Sequence, residues 1–143
     1  MKPRTDVGSV TPLVIGFTLL LAVLVAVVVD ASAAYLQRQG LNSVADAAAL
    51  AATDGLQGDR VYTEGLGELA EIDEAAAHRY VGDYLRSSGA LGRYPGLTWA
   101  VSVSTDTVLV RVGAPLDLPL RVPGVAEEAI VRGSAASVVV VSE

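Results

Sequence analysis

The chain has 143 residues, of which 52% are apolar and only 18% charged, with a formal net charge of −6 and no cysteine. This leaves room for one small domain beside an apolar segment and excludes disulfides and thiolate metal sites. From Asp30 onward, eight Arg face fifteen Asp and Glu, an acidic balance unsuited to binding nucleic-acid phosphates.

Residues 1–9 carry Lys2 and Arg4 and read as a short leader, after which Val10–Val29 (VTPLVIGFTLLLAVLVAVVV) runs for twenty residues without a charge. At ~1.5 Å per helical residue this run matches the roughly 30 Å hydrocarbon core of a bilayer. Val10, Leu13, Phe17, Leu20, Leu24 and Val29 are therefore expected to anchor the chain as a single transmembrane helix. Pro12 falls in the first turn, where its missing N–H would have no helical partner anyway. Lys2 and Arg4 precede the span and no basic residue follows it until Arg38. The positive-inside rule then predicts a cytoplasmic N-terminus and an extracytoplasmic body over residues 30–143.

Two processing readings stand beside a retained anchor. Ala31-Ser32-Ala33 has the A-x-A form of a signal-peptidase site, but the apolar run is longer than the roughly 7 to 15 residues usual for a signal, and Asp30 sits inside the motif. A cut between Gly8 and Ser9 would resemble prepilin processing, with Leu13 standing where prepilins of the type IV class carry Glu.

Beyond Asp30, Leu41, Val44, Ala48 and Ala51 recur at helical spacing, which predicts that the membrane helix runs on to about Thr53 and stops at Gly55. The alanines from Ala45 to Ala52 allow close approach by another backbone, either this protein's own sheet or a neighbouring subunit's helix. Gly40 weakens the helix and is read as a bend near the membrane surface. Gln57 to Gly67 reads as a loop. A second, amphipathic helix is expected from about Glu68 to Arg86, apolar at Leu69, Ile72, Ala76, Tyr80 and Tyr84 and closed by Ser87-Ser88-Gly89.

The rest alternates with period two. Leu97, Trp99, Val101 and Val103 and then Val108, Val110 and Val112 predict a hairpin turning at Thr105-Asp106. Leu116, Leu118, Leu120 and Val122 predict an edge strand, because Pro119 lacks a backbone donor. Ile130 to Val141 predicts a last strand, central and buried on both faces. The fold class is α+β: a long helix, a second helix and a small antiparallel sheet of about four strands.

Chemistry is sparse. One His, no Cys and no phosphate-cradling loop leave no catalytic constellation, and the chain reads as a non-enzyme without cofactor, metal or small-molecule substrate. His78 reads as a solvated residue on the polar side of the second helix, and the acidic stretch Glu64 to Glu74 lacks the spacing that wraps calcium. Asp30 and Asp46 interrupt apolar or alanine-rich surface, where a carboxylate usually has a partner. Asp30, Leu41, Val44, Asp46, Ala48 and Ala51 are thus the candidate helix–helix contacts, with Asp30 read either as an interfacial residue or as a registry contact to a neighbouring subunit.

The leader with Gly8-Ser9, the apolar span, Val29-Asp30, Leu36-Gln37-Arg38 and the block Ala45-Asp46-Ala47-Ala48-Ala49-Leu50-Ala51-Ala52 together resemble the N-terminal region of TadE/TadG-like proteins of the Tad (Flp) pilus system. Gly40 departs from that pattern, since many relatives carry a charged residue there, and the chain is too short for the large adhesive domain of longer TadG-like members. The resemblance implies a membrane-anchored pilus assembly component or minor pilin-like subunit, with other Tad pilus or secretion-platform subunits and the lipid bilayer as partners. The alternative function is a single-pass envelope receptor or scaffold with a small partner-binding domain.

Overall fold

The computed structural model describes residues 10–63, 73–120 and 129–138. Its spine is α1, Thr11–Thr63, a single uninterrupted helix of 53 residues. At ~1.5 Å per residue it is roughly 80 Å long, more than twice the thickness of a hydrocarbon core. Proline is absent from the helix after Pro12, and its hydroxyls bond back onto the preceding turn: Thr18 Oγ1 donates to the Val14 carbonyl at 2.8 Å and Ser32 Oγ to the Val28 carbonyl at 2.7 Å. In a bilayer, where water cannot serve them, this local satisfaction keeps such side chains compatible with lipid.

The expected stop at Gly55 is not found. Residues 57–63, read as part of a loop, continue α1 instead, and 64–67 lie outside the described residues. The reason is tertiary: a Cβ at position 55 would stand 2.6 Å from Tyr80 Cδ1, so glycine is required there by a ring packed on the helix, not by a left-handed cap. The same holds at Gly40, which lies under the Tyr94 hydroxyl.

The second helix, α2 (Glu74–Ser87), is shorter than expected. Asp73 has extended backbone and its carboxylate accepts from the Ala75 N–H at 2.8 Å, which makes it the N-cap and excludes it from the helix interior. Glu68, Leu69, Glu71 and Ile72 lie outside the described residues. The helix ends at Ser88, followed by Gly89 with φ of 71°, and a short turn, α3 (Ala90–Arg93), leads to the sheet.

Among the described residues the sheet has three antiparallel strands, β1 (Thr98–Val103), β2 (Thr107–Pro115) and β3 (Ile130–Val138), in the order β1-β2-β3. Thr105-Asp106 forms the expected two-residue turn, with Val103 opposite Val108. Two expectations fail. Residues 116–120 form no strand, and Val122 lies outside the described residues. Also, β3 borders the described sheet and is not central: Gly133 and Ala135 are buried while Ile130, Arg132, Ser134, Ala136 and Val138 are exposed. Valines 139–141, which prompted the central reading, lie outside the described residues.

One face of the sheet packs on the helices. Val101, Val108, Val110, Val112, Ala114 and Ala135 close over Leu41, Ala45, Ala48, Ala49, Ala52 and Leu56 of α1 and Ala76, Ala77, Val81 and Leu85 of α2. Small residues on both sides let strand and helix approach closely. At Gly133 an added Cβ would fall 2.7 Å from the Leu41 carbonyl carbon and the Asn42 nitrogen. The body is therefore assembled directly on the second half of α1.

Candidate functional site

Alanine-rich sequence makes two different surfaces on α1, and the sheet decides which is which. Residues 41, 45, 48, 49, 52 and 56 are buried within the chain, whereas Tyr35, Gln39, Asn42, Ser43, Asp46, Leu50 and Asp54 form an exposed stripe at steps of three or four. Leu41 and Ala48, candidates for contacts with a neighbouring helix, are wholly enclosed by this chain's own packing and have no surface to offer. Val44 is partly buried against the same core and Ala51 is half-buried. Asp46 is exposed, and one turn later Leu50 exposes 56% of its surface.

Asp30 has a partner within the chain: its Oδ1 accepts the backbone N–H of Leu120 at 3.1 Å. Two turns along the helix, Gln37 serves the same segment with both ends of its amide. Nε2 donates to the Pro115 carbonyl at 2.7 Å, and Oε1 accepts the Asp117 N–H at 3.1 Å. Residues 115–120, whose alternating leucines suggest a strand, thus take their backbone partners from side chains of α1. Leu116 still pairs with the neighbouring chain segment, its N–H donating to the Ala129 carbonyl at 2.8 Å.

Thr53, the one buried polar residue of the described core, sits at the far end of the body, its Oγ1 3.1 Å from Ser137 Oγ and bonded back to the Leu50 carbonyl. Sequence reasoning missed Gln37, Gly133 and this pair. Of the three, only Gly133 left a readable trace, as a glycine inside a strand. His78 is exposed, as expected, and its ring lies 6.1 Å from that of Trp99, whose buried Nε1 finds no acceptor among the described residues. Among the described residues no group of three or more His, Asp or Glu is placed to hold a metal ion.

The first half of α1 buries nothing. Leu13, Phe17, Leu20 and Leu24 are exposed, with Val10 before them and Val29 after, and the helix is long and apolar enough to cross a membrane. An apolar helix of spanning length and the spine of a small α+β body are thus one and the same element. The family model for putative Flp pilus-assembly TadE/G-like proteins matches residues 8–57 of the 143, so the apolar run and the alanine block of α1 are similar to that family. No curated protein and no solved structure matches the chain.

Proposed function

We propose that the chain is a membrane-anchored component of a Tad (Flp) pilus, acting through protein contacts as an assembly factor or minor pilin-like subunit. The observation that carries this reading is the coincidence of the TadE/G-like match over residues 8–57 with the one helix that is both anchor and spine. Residues 1–9 are then a cytoplasmic leader, 10–29 the span and 30–143 an extracytoplasmic pilin-like body, the orientation following from Lys2 and Arg4. Gly8-Ser9 is the position at which a leader would be removed.

Neighbouring subunits meet the exposed stripe of α1. Asp46 supplies charge and Leu50 supplies apolar area there, with the edge of Ala51 beside them, while Asp30 is engaged by Leu120 in its own chain. A charge beside an exposed leucine suits a contact that is both oriented and desolvated.

The test is deletion in a piliated host followed by complementation. Loss of surface pili, restored by the wild-type gene and not by Asp46→Arg or Leu50→Asp, is the expected result, provided both variants accumulate in membranes at normal levels. Unchanged pilus number and secretion after deletion would sink the reading. Mass spectrometry of membranes and sheared filaments then separates the two roles: an intact N-terminus confined to membranes marks an assembly factor, and a chain beginning at Ser9 within filaments marks a subunit.

A further inference from the structure

We propose that the segment Leu118-Pro119-Leu120 is a second membrane contact, seated in the interfacial layer of the bilayer beside the anchor. This rests on the reading of α1 as a membrane span, and it fixes how the body stands on the lipid.

Asp30 is the first residue after the uncharged run that ends at Val29, and its carboxylate holds the backbone N–H of Leu120 at 3.1 Å. The Asp30 side chain and its hydrogen bond together reach about 6 Å, and a helical Cα–Cβ bond tilts toward the N-terminus, so the Leu120 backbone lies near the end of the span. Gln37 holds Asp117 seven residues further along the helix, a rise of roughly 10 Å, and the chain bends at Pro119 and Leu120 as it reaches the level of Asp30. The segment accordingly runs down the helix axis toward the apolar half of α1. Interfacial layers extend about 5 to 7 Å beyond each side of the hydrocarbon core, so Leu118 to Leu120 fall inside this layer while Asp117 stands in water.

The composition fits the level. Leu118, Pro119 and Leu120 carry no charge, Pro119 is exposed, and Leu120 exposes 44% of its surface. Ile130, opposite Pro115 at the same end of the sheet, exposes 56%, and Tyr35 lies exposed just above Asp30, where aromatic side chains favour headgroups. An exposed leucine alone needs no explanation. Here it is tied by hydrogen bond to the point where the helix leaves the lipid, so the surface covering it is continuous with the one that covers the anchor.

The chain contains no cysteine, so single cysteines provide unique labelling sites. Leu120→Cys, Leu20→Cys in the span and Asp106→Cys in the distal hairpin turn are each introduced into the full chain, spin-labelled and reconstituted in phosphatidylcholine vesicles. Accessibility to oxygen, which partitions into lipid, is compared with accessibility to a water-soluble nickel chelate. The expected result is an oxygen-to-nickel ratio at position 120 several-fold above that at 106 and below that at 20, falling toward the value at 106 when Asp30→Ala is added. A label at 120 as nickel-accessible as that at 106, with position 20 still oxygen-favoured, overturns the second contact and leaves the anchor standing. A nickel-accessible label at 20 overturns the anchor itself, and this contact with it.

Discussion

Tyr80 lays its ring across Gly55, so close that a methyl group on the glycine would stand 2.6 Å from Cδ1 and 2.7 Å from Cγ. This contact clamps α2 to α1 in the part of the long helix beyond the alanine block, where composition alone suggests that the helix should end. It also sets two glycines of one helix against each other. Gly58, one turn later, has nothing within 4 Å of where its Cβ would be.

Gly55→Ala and Gly58→Ala should therefore shift stability in opposite directions. Alanine is worth up to about 1 kcal/mol over glycine inside a helix. At 58 that gain appears as a raised midpoint in thermal or denaturant unfolding of the detergent-solubilised chain. At 55 it is outweighed by overpacking against the Tyr80 ring, typically about 1–3 kcal/mol, and the midpoint falls. Gly55→Ala combined with Tyr80→Leu recovers part of the loss.

Gly133→Ala should be more damaging than Gly55→Ala. The atoms in its way are backbone atoms of Leu41 and Asn42, which cannot rotate aside as a ring can, so β3 must lift off the helix. A cost at or above the upper end of the usual overpacking range, about 3 kcal/mol, is expected by the same unfolding measurement.

Thr53 and Ser137 join α1 to β3 through side-chain hydroxyls 3.1 Å apart, and Thr53 Oγ1 also reaches the Leu50 carbonyl. Thr53→Val and Ser137→Ala should each cost about 1 kcal/mol, the double variant less than their sum, with a coupling of roughly 0.5–1.5 kcal/mol in a double-mutant cycle. Strict additivity would mean that the two hydroxyls do not bond each other in solution.

Gln37 uses a donor and an acceptor at once, and Gln37→Glu keeps only the acceptor. The Pro115 carbonyl then faces a carboxylate oxygen in place of an N–H, so the segment loosens. Amide hydrogen exchange at Asp117 and Leu120 should accelerate, while exchange in the β1–β2 hairpin stays unchanged. Asp30→Asn, which keeps an oxygen for the Leu120 N–H, should accelerate exchange at Leu120 less than Asp30→Ala does.

These residues also mark how far the sequence could be read. The hairpin was legible because Val101, Val103, Val108 and Val110 alternate and a two-residue turn sits between them, all of which is local information. The spanning run was legible for the same reason. Gly55 misled because a glycine beneath a ring and a glycine capping a helix look alike until the ring's position is known. The leucines at 116, 118 and 120 misled because period two reports only that a segment is extended. Whether its N–H and C=O groups bond another strand or the side chains of Asp30 and Gln37 depends on neighbours far away in the chain. Asp73 was read as helical because the acidic residues before it also suit a first turn; its own capping bond to Ala75 is what ends the ambiguity. On the candidate surface, the periodicity that drew attention to Leu41 and Ala48 marked a buried face correctly, but it could not tell the protein's own sheet from a neighbour's helix.

Because α1 passes from the exposed apolar run into the body without a break, the two cannot be reoriented separately. Membrane helices commonly lean by about 20°, and over the roughly 35 Å of helix between Asp30 and Thr53 such a lean carries the outer end of the body sideways by roughly 12 Å. A stiff lever of this kind turns events inside the bilayer, such as a change in thickness or a push from an adjoining helix, into displacement at the distal hairpin, and returns a pull on the body to the span as torque.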